Sequence, residues 1–151
     1  MQRASLFLAL LAPASLLSAQ ATADWRIGPL AAGSWAYRGL ADGSEAVFTD
    51  ARVTPRLVVK CSRATRVVTL TLASAVPGSA ITLATSETQR RLPASFNAQT
   101  SQIFAQIPGN DAILDAMAFS RGRFALAVAG GATLVVPAWP EVARSIEDCR
   151  I

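Results

Sequence analysis

Two cysteines and a short run of basic residues are the parts of this sequence best equipped for chemistry. Cys61 and Cys149 are the only cysteines in a chain without histidine. A zinc shell built from them would lack its usual completing imidazole, and their spacing is not that of a CxxC redox pair. An even count in an exported chain points to one disulfide, closing a loop of 88 positions (149 − 61). Two separate buried thiols are the other reading. Arg52, Arg56, Lys60, Arg63 and Arg66 fall within fifteen positions. In an extended segment Arg56 and Lys60 share one face, and Arg63 and Arg66 flank the following turn. With Arg90 and Arg91 on a nearby strand pair, such a face could meet anionic head groups, surface polysaccharide or an acidic partner. An ordinary solvated sheet face is the plainer reading.

Other chemistry is poorly supplied. Without histidine, a Ser–His–Asp triad cannot form within the chain. Lys60 is the only lysine and Tyr37 the only tyrosine. No serine sits in a G-x-S-x-G or S-x-x-K pattern. Asp111 and Asp115, four apart, are the one regular carboxylate pair. Such a pair can do acid–base work, but near a helix start it more often serves the helix dipole. The acids are scattered, with no D-x-D-x-D run for calcium. Gly130-Gly131 lacks the lysine of a phosphate loop and reads as a hairpin turn. Trp35, Trp139 and Phe119 could form a ligand cleft, although aromatic residues more commonly pack a core.

The elements that must position these residues begin after a leader. Arg3 precedes an uncharged apolar run over residues 4–17, and Ala19 and Ala21 then occupy the −3 and −1 places of a cut after Ala21. A cleavable signal peptide over 1–21 is expected, with periplasmic or secreted destination. A retained anchor is the alternative, but the run of about 14 residues is short against the roughly 20 that a span requires. Residues 22–151 then form one domain, large enough for a hydrophobic core. Loss of Arg3 lowers the net charge from +4 to +3, too little to imply nucleic acid.

Residues 35–38 and 45–49 read as strands about a turn at Asp42-Gly43-Ser44. Residues 56–61 (RLVVKC) alternate, with Leu57, Val59 and Cys61 on one face. Residues 66–73 alternate likewise, and Pro77-Gly78-Ser79 reads as a type II turn. Residues 80–86 pair with 89–92, and 103–107 form a further strand. A helix capped by Asn110 or Asp111 carries Ile113, Leu114 and Met117 on one stripe and stops near Gly122. Residues 123–129 and 133–136 make a hairpin. A last helix from Pro140 to about Cys149 places Val142, Ile146 and Cys149 on one stripe. Cys149 would then pin that helix to the strand carrying Cys61. The expected fold is α+β, mainly antiparallel β as a sandwich or partly open barrel of about eight strands, with two short helices, one C-terminal.

The segment 55–61 (PRLVVKC), followed by a strand and ending in a helix (DAILDAMAFSR), a hairpin and a helix with Cys149, resembles small exported bacterial proteins: the invasion-associated locus B family and the type VI secretion-associated VasI-like family. The likeness covers the layout of about 100 residues and transfers no site residue except the cysteine pair. The first of these families often carries further cysteines, which are absent here. The resemblance implies a non-enzymatic envelope protein. The functional expectation is a binding or accessory protein without cofactor, metal or catalytic group. Its partner, an envelope protein or an anionic surface, is not identified by sequence. The anion-facing candidates are Arg56, Lys60, Arg63 and Arg66. A small envelope hydrolase using Ser and Asp groups, or a structural or inhibitory component, is the alternative.

Overall fold

The computed structural model describes residues 24–151. The expected signal peptide and the expected cut after Ala21 fall outside the described residues. The chain order is β1 (Gly33–Leu40), β2 (Gly43–Asp50), β3 (Pro55–Ser62), β4 (Val67–Ala73), β5 (Ala80–Ala84), β6 (Gln89–Pro93), β7 (Ser95–Asn97), β8 (Gln102–Pro108), α1 (Ala112–Ala118), β9 (Arg123–Ala127), β10 (Leu134–Pro137) and α2 (Pro140–Glu147). Two antiparallel sheets result, ordered β1-β2-β3-β4-β8-β7 and β10-β9-β5-β6, and they are not closed into a barrel. Among the described residues no helix is long and apolar enough to cross a membrane.

Alternation decides the inner face. In the six-stranded sheet Trp35, Phe48, Leu57, Leu72, Ile103 and Phe96 stand in register across all six strands. The four-stranded sheet adds Ile81, Leu83, Leu92, Phe124, Leu126 and Val136 to the same core. The opposite face of the first sheet carries the row Arg38, Glu45, Lys60, Thr69 and Gln106. Gly43, at φ +137°, lets β2 start against β3: a Cβ there would lie 2.2 Å from the Cys61 carbonyl oxygen.

Helix α2 lies against β1, β2, β3 and α1. Its stripe of Val142, Ile146 and Cys149 is buried as its spacing requires. Cys149 is bonded to Cys61, with Cα atoms 5.4 Å apart. The bridge therefore ties the C-terminal turn to the far end of β3, next to its last residue. Buried hydroxyls complete the seam: Ser145 Oγ donates to the Val59 carbonyl at 3.0 Å, and Tyr37 Oη donates to Asp148 Oδ2 at 2.7 Å. Burial works against the charge on Asp148. Hydrogen bonds from Tyr37 and Ser44, with Arg63 and Arg144 nearby, nevertheless hold its carboxyl below the usual range.

Several local expectations differ from the structure. Among the described residues there are ten strands, and β7, only three residues long, carries no alternation long enough to be seen. Pro77-Gly78-Ser79 is not a type II turn, because Gly78 is not among the glycines with positive φ that such a turn needs. Instead the stretch carries the chain from one sheet to the other. Of Gly130-Gly131 only Gly130 takes positive φ, at 78°. Helix α1 ends at Phe119, before Gly122, where the cap N–H bonds back to Asp115 and Met117 carbonyls. Trp35 is a core residue, but Trp139 and Phe119 are not: they are 42% and 72% exposed.

Candidate functional site

The β3–β4 turn is a braced structure. Asp42 accepts from Ser62 Oγ at 2.8 Å and from the Ala64 N–H at 3.0 Å, while its carbonyl accepts from the Arg63 N–H at 3.1 Å. The Ser62 hydroxyl first, then the Ala64 N–H, hold the Asp42 carboxyl below its ordinary pKa, with Arg63 and Lys60 adding to the effect. Arg66 closes the turn at φ +52°, a left-handed conformation that a residue with a Cβ adopts at a cost. Its carbonyl accepts from the Gly109 N–H at 2.8 Å. A Cβ on Gly109 would stand 3.1 Å from the Arg66 oxygen and from Cys149 Cβ, so glycine permits the approach of β8, the turn and the end of α2.

A groove of about 540 Å³ opens there, lined by Thr65, Arg66, Asn110, Asp115 and Arg150, with Cys149 in its wall. Arg150 is committed. Its Nε donates to the Gly109 carbonyl at 2.9 Å and its Nη1 to Glu147 at 3.1 Å. Its Nη2 lies 2.8 Å from Asp115 Oδ1, yet that buried nitrogen has no hydrogen-bond partner. The contact is therefore an ion pair lacking hydrogen-bond alignment. Arg66 is exposed and, among the described residues, forms no ion pair.

The other sequence candidates are placed as follows. Arg56 and Lys60 do share the outward face of β3, but Arg56 is half-buried with its Nη1 3.7 Å from Asp50. Lys60 is exposed beside Glu45, which Arg38 already engages at 2.5 Å through Nε. Arg63 and Arg66 stand at the turn beyond. Arg52 lies in the turn organised by Asp50, which accepts from the Arg52 and Thr54 N–H groups. The face is thus basic with acids threaded through it. Arg52, Lys60, Arg63 and Arg66 are the sequence candidates here without an ion pair among the described residues, and the last three stand toward the β3–β4 turn. Arg90 and Arg91 do not extend it, because β6 is an edge of the other sheet. Sequence reasoning missed Arg150 and the strain at Arg66. The first follows the last cysteine without a pattern, and the second is a backbone property that arginine does not signal.

Asp111 and Asp115 are both in structural service. Asp111 caps α1, accepting from the Ile113 N–H at 2.9 Å, and takes a two-pronged bond from Arg90 at 2.9 Å on each oxygen. The Arg90 bonds are the largest influence and lower its pKa; burial opposes them, and the Ile113 N–H and the Arg90 charge add to the lowering. A carboxyl whose folded pKa is depressed stabilises the fold above its unfolded pKa of about 3.9 and loses that contribution as pH falls through the folded value. Acid titration below about pH 4 should therefore lower the melting temperature, and Asp111→Asn should flatten part of that fall. At neutral pH Asp111→Ala should cost about 1 kcal/mol through the cap, read by chemical denaturation. An unchanged acid limb in Asp111→Asn would contradict the assignment.

Asp42, Asp50, Asp111 and Asp148 are all held ionised, which suits charge display better than proton transfer near neutrality. Among the described residues, no group of three or more Asp, Glu or Cys side chains is placed to hold a metal ion. What the turn end offers is fixed positive charge beside a groove. No family model matches this chain, and neither the curated proteins nor the solved structures contain a match.

Proposed function

We propose that this is an exported envelope protein that binds an anionic surface through Lys60, Arg63 and Arg66, with no covalent chemistry of its own. The observation that carries the reading is Arg66: an exposed guanidinium without an ion pair, held in a strained backbone conformation at the mouth of a groove. Val53 and Ser101 take the same left-handed conformation, so the charge beside the groove rather than the backbone singles out Arg66. Export is supported by Arg3, the apolar run over 4–17 and the small residues before Thr22. The Cys61–Cys149 bridge suits an oxidising compartment. The resemblance in layout to the invasion-associated locus B and VasI-like proteins, read from sequence, favours an accessory rather than an enzymatic role.

Co-sedimentation with anionic and neutral vesicles tests it. Binding should appear on anionic vesicles at low salt and fall steeply as the screening length shrinks from about 30 Å at 0.01 M to about 8 Å at 0.15 M. Each basic residue near such a surface contributes about 1 kcal/mol, so Lys60→Gln with Arg66→Gln should weaken binding by roughly tenfold or more. Arg56→Gln should matter less, because Asp50 already neutralises Arg56. No binding to anionic vesicles at low salt, or binding unchanged in the double variant, would leave an ordinary solvated face.

A further inference from the structure

A second basic site lies on the other sheet, built from residues far apart in sequence. The pocket holds about 230 Å³ and is lined by Trp25, Arg26, Ser86, Arg121 and Arg123. Three of its five walls are guanidinium side chains, and no carboxylate lines it. Its construction is specific. Trp25 packs on Ala84, Ala125 and Val135, on the outer face of the four-stranded sheet. Arg26 stacks on that ring, 4.9 Å from its centroid; Asp24 accepts its backbone N–H at 3.0 Å and forms an ion pair with its guanidinium at 3.7 Å. Arg123 Nη1 donates to the Gly28 carbonyl at 2.5 Å, which fastens the segment carrying Trp25 and Arg26 to β9.

Two serines set the other wall. The Ser86 N–H donates to Ser120 Oγ at 2.9 Å, and the Arg121 N–H donates to Ser86 Oγ at 3.0 Å. Ser120 Oγ in turn donates to the Arg123 carbonyl. Gly122, at φ +75°, makes the bend between the two arginines. The Ser86 oxygen accepts from Arg121, so its own O–H remains available to donate. Arg121 is exposed and, among the described residues, forms no ion pair.

We propose that this pocket binds a phosphoryl or sulfate group. Cations gathered in excess of acids repel one another, and an anion entering among them relieves that repulsion while accepting charge-assisted hydrogen bonds. Guanidinium forks match the oxygen edges of such groups. Asp24 pairs with Arg26 at the pocket's edge, which leaves three cations against one carboxylate, and a doubly charged oxyanion matches that excess better than a singly charged carboxylate does. The site is separate from the turn end of the six-stranded sheet and does not rest on binding there.

Calorimetric titration of the mature protein with phosphate, sulfate and acetate at equal ionic strength tests the proposal. Saturable binding of phosphate and sulfate, stronger than acetate, is expected. Arg121→Gln should weaken it about tenfold, since one charge-assisted contact is lost while the fold keeps its backbone bonds. Arg52→Gln, on the other sheet's exposed turn, should leave it unchanged. Methyl phosphate and vesicles carrying phosphatidic acid separate the sources. Binding of the soluble ester alone assigns a free phosphorylated ligand, and Arg121-dependent binding of the vesicles assigns a lipid head group. Equal response to all three anions, or undiminished binding in a folded Arg121→Gln protein, would overturn the site.

Discussion

Replacing both Cys61 and Cys149 by serine is expected to cost roughly 2–5 kcal/mol and to lower the melting temperature by on the order of 10 °C. The bridge closes a loop of 88 positions, for which chain entropy alone gives roughly 4–5 kcal/mol. Helix α2 is eight residues long and would be marginal by itself in water. Besides the bridge, it is held by Val142 and Ile146 in the core and by Ser145 and Tyr37 hydrogen bonds along its seam. Loss of the bridge should therefore loosen α2 first. Amide exchange in α2 should accelerate more than in β3 or β4, and proteases should reach the C-terminus, while strand content stays close to that of the parent. Equal acceleration throughout would mean that the helix and sheet unfold as one unit. A change below about 1 kcal/mol would contradict the pinning role.

Phe48→Ala should be comparably damaging, at roughly 3–5 kcal/mol. Phe48 is fully buried, and its ring meets that of Trp35 edge-on with centroids 5.4 Å apart. It sits in the row that runs from Trp35 to Phe96 across the whole sheet, so its removal leaves a cavity bounded by strands that cannot close in. Val58→Ala, on the outward face of the neighbouring strand, is the matched control and should cost less than about 1 kcal/mol. Urea denaturation of the two variants measures the contrast. Similar costs would mean that the two faces of the sheet are not distinguished as core and surface.

Much of this architecture was legible because it is local. Alternation in RLVVKC and RVVTLTLA marks β3 and β4, and the stripe of Val142, Ile146 and Cys149 marks α2. The disulfide was legible from the same stripes together with an even cysteine count. Long-range pairing was not. Strand β8 returns to β4 past β5, β6 and β7, and β5 leaves for the other sheet, which no local pattern encodes. The anion-facing residues were half legible: alternation put Arg56 and Lys60 on one face, but not Asp50 and Glu45 among them. Arg26 and Arg123 are assembled by the fold across 97 positions (123 − 26), so their meeting leaves no trace in the spacing.

The most direct test of surface binding is a residue-resolved one. Amide resonances of the isotope-labelled protein spanning residues 22–151 can be followed as anionic lipid discs are added at low salt, with neutral discs as reference. Losses of intensity concentrated at Lys60, Arg63 and Arg66 and around the Gly109 groove, reversed by salt, are the predicted result. Uniform loss across both sheets, or no difference between anionic and neutral discs, would contradict binding at that end of the molecule.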